Sequence, residues 1–332
     1  MLLTSTLACR AATRLIQADT PTPAPLPTKR LPTPTKLLPT PTRVIEARSC
    51  PVLLSDIMTA ATSAGSDAEA KDEQYLVTYT VNGDKLSDPQ YDPVSDNLKD
   101  EQKDLATQQS VWDYFTTLIP LDQRQFVTEY SIMTDGVDNT YASVLQAHDD
   151  PSHWELEIDI LDAADTYNLT FTLVHEFGHL LTLNSKQVPP SIRVFNNPDN
   201  ENVLQSETAA CPQYFPGEGC STPTSYINAW YNRFWKDIYD EWDKINYIED
   251  DDAYYKALDD FYTKYQDQFV TDYAVTTPEE DIAESWAFFV LAPKPRSKSI
   301  ADQKVLFFYE YPELVTLRQT ILQNLCTAFP NK

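Results

Sequence analysis

The chain has 332 residues, enough for one or two domains, and its 42% hydrophobic fraction is normal for a folded core. With 25 Lys and Arg against 50 Asp and Glu, it carries a formal net charge of −25, which excludes nucleic-acid binding by phosphate neutralisation. Such an acidic body favours cationic substrates, although a solvated acidic face with no recognition role is the commoner meaning of such charge.

The charge is also uneven along the chain. Residues 1–49 hold seven Lys and Arg against two Asp and Glu, net +5, so the remainder holds 18 against 48, net −30. From Thr20 to Thr42, Pro and Thr dominate, with eight prolines between Pro21 and Pro41. A segment of that composition buries too little apolar surface to fold and reads as an extended tether. Before it, Met1 to Cys9 looks like the end of a bacterial lipoprotein signal, with Cys9 as a lipid anchor, although the apolar run is short and lacks a basic start. The expectation is an exported protein, extracellular or tethered at the cell surface. Residues 1–49 are its signal and tether, 50–332 its folded domain, and 50–100 a candidate N-terminal subregion. No run of 18 apolar residues suggests a membrane-spanning helix.

Reserving Cys9 for lipid leaves four of the five cysteines, enough for two disulfides in an oxidising compartment. Cys211 with Cys220 would close a short loop, and Cys50 with Cys326 would tie the ends of the domain. Other pairings stay open.

In chain order, Tyr75 to Val81 reads as a strand closed by Asn82-Gly83, residues 96–118 as a helix, Phe126 to Met133 as a strand and Ser143 to Ala147 as a short strand. His153 to Ile160 alternates strictly and reads as an edge strand with one apolar and one acidic face. Then Leu169, Leu173, Val174, Phe177, Leu180 and Leu181 recur at three- and four-residue spacing, which predicts a helix of about four turns capped by Asn168 or Thr166. Gly178 costs that helix propensity, which suggests a place where a side chain would be in the way.

Within this helix stands His175-Glu176-Phe177-Gly178-His179, an H-E-x-x-H motif. Residues four apart share a helix face, so both imidazoles can bind one metal ion while Glu176 serves as base toward a water. Zinc at that place lowers a water's pKa to about 7. The chain has only four histidines and two of them stand here, which makes chance a poor explanation; the competing reading is two histidines packed on an ordinary amphipathic helix. A catalytic zinc usually takes three protein ligands, and Leu180 to Ser185 offers no third histidine at the metzincin offset, so the third ligand lies elsewhere.

After the motif, residues 189–223 are rich in turn signals and read as an irregular loop over the rim of the cleft. Tyr226 to Trp242 and Tyr254 to Tyr273 are helically periodic, with aromatic stripes that suit a core more often than a substrate groove. Thr277 and Pro278 then open a helix as N-cap and first residue. Glu280 and Glu284 share one face of it, a spacing that suits a zinc ligand and a carboxylate accepting the free ring N–H of a ligand histidine. Small Ala283 and Ala287 would let this helix approach the first one. Two alternatives stay open: Glu280 as a mere capping-box residue with Thr277, and His148 or the strand-borne His153 as third ligand. Pro312 to Phe329 reads as a closing helix. Strands before the motif helix and mostly helices after it indicate an α+β domain with a small mixed sheet and a mainly helical second half.

The two blocks, H-E-F-G-H and Tyr273-Ala274-x-Thr276-Thr277-Pro278-Glu279-Glu280-Asp281-Ile282-Ala283-Glu284, resemble the gluzincin metallopeptidases. In particular, they are similar to bacterial zinc-binding metallopeptidases distantly related to the catalytic domain of anthrax lethal factor. The likeness is specific over these two blocks and vague over the rest of residues 100–295, and the stretch between His179 and Glu280 is longer than in compact members. The resemblance implies a zincin-like domain in which His175, His179 and Glu280 bind one Zn2+ per chain. It further implies that Glu176 is the general base, that Glu284 supports a ligand histidine and that the Tyr273 hydroxyl stabilises an oxyanion. Among 19 tyrosines, Tyr273 reads equally well as a surface aromatic. The function expected is that of a zinc endopeptidase acting on protein or peptide substrates as a monomer. Its rivals are a catalytically silent zinc-binding surface domain and a zinc amidase acting on a cell-wall crosslink.

Overall fold

A computed structural model of the chain describes residues 50–63, 73–137 and 140–329. The tether and the lipid anchor at Cys9 lie outside the described residues. The first elements are helix α1 (Pro51–Ser63) and strands β1 (Gln74–Asn82) and β2 (Lys85–Tyr91). Helices α2 (Lys99–Lys103) and α3 (Leu105–Leu118) follow, then β3 (Val127–Thr134), β4 (Ala142–Ala147) and β5 (Asp150–Asp159). Helices make up the rest: α4 (Thr166–Leu183), α5 (Ile192–Phe195), α6 (Glu201–Ala210), α7 (Tyr226–Trp230), α8 (Tyr239–Trp242), α9 (Asp251–Tyr265), α10 (Pro278–Leu291), α11 (Ile300–Phe307) and α12 (Pro312–Ala328). The fold is α+β, a five-stranded mixed sheet followed by helices, and no helix among the described residues is long and apolar enough to cross a membrane.

The sheet order is β2-β1-β3-β5-β4, with β3 and β5 parallel and the other neighbours antiparallel. This corrects the expectation for residues 153–160: β5 is an inner strand and β4 is the edge. Pairing on both sides also changes what its acidic face means. Trp154, Leu156 and Ile158 are buried as the alternation requires, but so are Glu155, Glu157 and Asp159. Each has found donors, as buried carboxylates must. Ser131 Oγ donates to Glu155, while Tyr75 OH at 2.7 Å and Ser143 Oγ at 2.6 Å donate to Glu157. The backbone N–H groups of Asp135, at 2.9 Å, and Leu161, at 2.7 Å, donate to Asp159.

Local capping accounts for the other departures. The helix expected over 96–118 breaks at Asp104, whose carboxylate accepts from Thr107 N at 3.1 Å and so starts α3 afresh. The motif helix spans 18 residues and is capped by Asp165, not by Asn168 or Thr166. The loop expected over 189–223 contains two helices, because Ser191 and Asn200 act as N-caps, for α5 and α6. Its remainder returns to pair Pro190 with Gly219, where a Cβ on the glycine would stand 2.0 Å from Pro189 O. The helical run expected from Tyr226 to Trp242 is interrupted by a π turn at Tyr231–Trp235. Trp230, Phe234, Ile238 and Trp242 are buried, so this aromatic stripe belongs to the core.

Both disulfides form, Cys50–Cys326 and Cys211–Cys220. The first joins the start of α1 to α12 across 276 positions, and the second closes the loop after α6 across nine. Such bonds persist in oxidising, extracellular surroundings.

Candidate metal centre

The site lies where α4 meets α10. Gly178 permits the approach: a Cβ there would lie 3.0 Å from Ala283 Cα and 3.1 Å from Trp286 Cδ1. The glycine that weakens the helix therefore serves its packing against the next one, and small Ala283 is the opposing residue.

His175 and His179 project from one face of α4 and both are buried, their Nε2 atoms 3.1 Å apart. Thr277 caps α10 by accepting the Glu280 backbone N–H at 3.0 Å. The Glu280 carboxylate turns to the histidines, its Oε2 being 3.0 Å from His175 Nε2 and 3.4 Å from His179 Nε2. One turn further on, Glu284 Oε1 lies 2.8 Å from His175 Nδ1, and its Oε2 accepts from Thr271 Oγ1 at 2.7 Å.

Comparison of the chain with protein-family models, with curated proteins and with solved structures gives no match. The donor set must therefore be judged on its own geometry.

A protonated His175 donates Nδ1–H to Glu284 and Nε2–H to Glu280; deprotonation at Nε2 would leave its lone pair facing His179 and the Glu280 carboxylate. A proton shared between His175 Nε2 and Glu280 can hold these atoms at 3.0 to 3.4 Å, and a metal ion would take that proton's place. Ligand bonds of about 2.0–2.1 Å at tetrahedral angles put donor atoms roughly 3.3 Å apart, so the spacing fits a zinc-sized ion. His175, His179 and Glu280 are the one group of three ligating side chains found to converge in this way among the described residues.

Electrostatics follow the same arrangement. Burial disfavours a charged His175, but Glu280 and Glu284 outweigh it and hold its proton affinity well above the usual imidazole range. Burial likewise raises Glu280, yet His179 and His175 hold its carboxyl well below the carboxylate range. Glu176, buried on the same helix, is pushed up to about 7 by desolvation, against the pull of the histidines and of the Val144 backbone N–H. Val144 belongs to the edge strand β4, which therefore runs beside Glu176.

The Tyr273 ring sits 5.9 Å from that of His175, centroid to centroid, and the residue is 39% exposed. The other two histidines are elsewhere. His153 pairs with Asp150 at 2.8 Å on the exposed start of β5, and His148 is exposed in the turn between β4 and β5. Sequence reasoning missed Thr271 and Val144, which meet the site only through tertiary folding and carry no local signal.

Proposed function

We propose that this protein is a zinc-dependent endopeptidase of gluzincin type with a zincin-like fold, exported and held at the cell surface through Cys9. The observation that carries the reading is the position of Glu280: its carboxylate leaves the capping role open to it and meets both motif histidines. In this reading His175, His179 and Glu280 hold the metal. When bound, zinc supplies a Lewis acid that acidifies water and polarises a carbonyl.

The residues of the chain divide the remaining work. Glu176, with a proton affinity near neutrality, takes a proton from the attacking water and returns it to the leaving amine. The Tyr273 hydroxyl, a neutral donor, offers a hydrogen bond to the oxyanion of the tetrahedral intermediate. Glu284 keeps His175 in the tautomer whose Nε2 is free to ligate. Strand β4 is a sheet edge and runs beside Glu176, where an extended peptide would add as a further strand. The acidic surface favours peptides that carry Lys or Arg.

The test is cleavage of a diverse peptide library by the full-length protein loaded with zinc, beside Glu176→Gln. Cuts that vanish in the variant support the peptidase. Absence of cuts in both, with one zinc bound per chain, overturns it in favour of a silent binding domain or an amidase.

A further inference from the structure

Immediately after the proposed ligand Glu280 comes Asp281, which is fully buried. One of its oxygens, Oδ2, meets two indole N–H donors and an ammonium ion-pair partner, all from elements other than its own helix. Trp230 Nε1 at the end of α7 lies at 3.0 Å, Trp235 Nε1 in the π turn at 2.7 Å, and Lys304 Nζ of α11 at 2.7 Å. Lys304 is also fully buried, its ammonium 4.0 Å from the centroid of the Phe269 ring. Asp281 Oδ1 has no partner.

As a stabilising device this arrangement is poor. Two charges have been taken out of water, one carboxylate oxygen is unsatisfied, and apolar replacement of such pairs often costs a fold nothing. What the arrangement does supply is position. Consecutive helical residues point about 100° apart, so a carboxylate fixed on the α7 and α11 side sets the rotation of the first turn of α10. That rotation is what aims Glu280 at His175 and His179. The π turn has a place in this account, since it brings Trp235 and Trp230 to the same oxygen although they are five residues apart.

We infer that Asp281 and Lys304 are positioning residues for the metal centre, a buried pair that locks the first turn of α10 so that Glu280 reaches both histidines. The inference rests on the metal-binding reading above and deepens it.

The test uses the full-length protein and reads the zinc dissociation constant by competition with a chromophoric chelator, together with the visible spectrum of the cobalt(II)-loaded protein. Lys304→Met and Asp281→Asn are expected to weaken zinc by roughly 10- to 100-fold, the range for partners that orient ligands, and to shift the cobalt bands. The double variant Asp281→Leu with Lys304→Met removes both charges together and keeps apolar bulk at each position; with its fold checked by circular dichroism, it is expected to show the same weakening. Val111→Ala in α3 controls for general destabilisation and is expected to leave zinc affinity unchanged. Parental affinity and an unshifted spectrum in the folded double variant overturn the positioning role alone. Failure of the parent protein to bind zinc overturns the metal centre, and this inference with it.

Discussion

Glu284 Oε1 lies 2.8 Å from His175 Nδ1, so the third glutamate of α10 is the hydrogen-bond partner of the first histidine of α4. Because Thr271 donates to the other oxygen of that carboxylate, Glu284 is held from two sides and has little freedom to release the ring. Glu284→Gln keeps the shape but can present an amide N–H to Nδ1, which favours the wrong tautomer. Zinc affinity is expected to fall by roughly 10- to 100-fold, measured by chelator competition.

Neighbouring glutamates at the start of α10 should behave oppositely. Glu280→Ala removes the carboxylate that faces both histidines and is expected to abolish stoichiometric zinc binding. Glu279 is buried and desolvation pushes its carboxyl up to about 7, but among the described residues it is not part of the converging group. Glu279→Ala is expected to retain zinc, and equal retention in both variants, read by metal analysis after dialysis, would sink the ligand assignment.

Gly178→Ala gains helix propensity of roughly 1 kcal/mol, yet its Cβ would press on Ala283 Cα at 3.0 Å. Backbone does not yield as a flexible side chain does, and overpacking costs about 1–3 kcal/mol. The variant is expected to unfold at lower urea than the parent and to bind zinc less tightly, because α10 must move away from α4.

The buried acidic face of β5 makes a prediction about pH. Desolvation pushes the Glu155 carboxyl up to about 7 from an ordinary value of 4.5, against the hydrogen bond from Ser131. A carboxyl with a raised folded-state pKa contributes its stability fully below 4.5 and loses it as pH rises through about 7, since the unfolded chain gives up the proton first. The loss attributable to this group is on the order of 3 kcal/mol. Urea denaturation of parent and Glu155→Gln at pH 5 and pH 7.5 is expected to show a smaller pH-dependent loss in the variant; parallel losses would refute the assignment.

The two disulfides should differ in weight. Loop-closure entropy gives about 3 kcal/mol for a loop of nine residues and roughly 5–6 kcal/mol for one of 276. Replacing Cys50 and Cys326 by Ser is expected to lower the thermal midpoint more than replacing Cys211 and Cys220.

What could be read from the sequence was what local chemistry encodes. The spacing of His175 and His179, the Thr277-Pro278 start of α10 and the shared face of Glu280 and Glu284 are short-range patterns, and each recurs in the fold. The edge position of β4 could not be read, because strand order depends on non-local pairings: Leu156 pairs with Val144 of the neighbouring hairpin strand, and on its other side with the more distant Tyr130. The acidic alternation of β5 misled for a related reason. Glu155 and Glu157 resemble a solvated face until Ser131, Ser143 and Tyr75 are brought to them. Caps were misplaced by one or a few residues, as at Asp165, because several polar residues in a row could each have served.

The bond between Cys50 and Cys326, with Cα atoms 5.6 Å apart, has a mechanical consequence. Tension applied between the two ends of the folded unit passes through that single covalent link and bypasses the sheet and the helices in between. A pull on the chain before Cys50, opposed at the chain after Cys326, would leave α4 and α10 unloaded and their shared site undistorted.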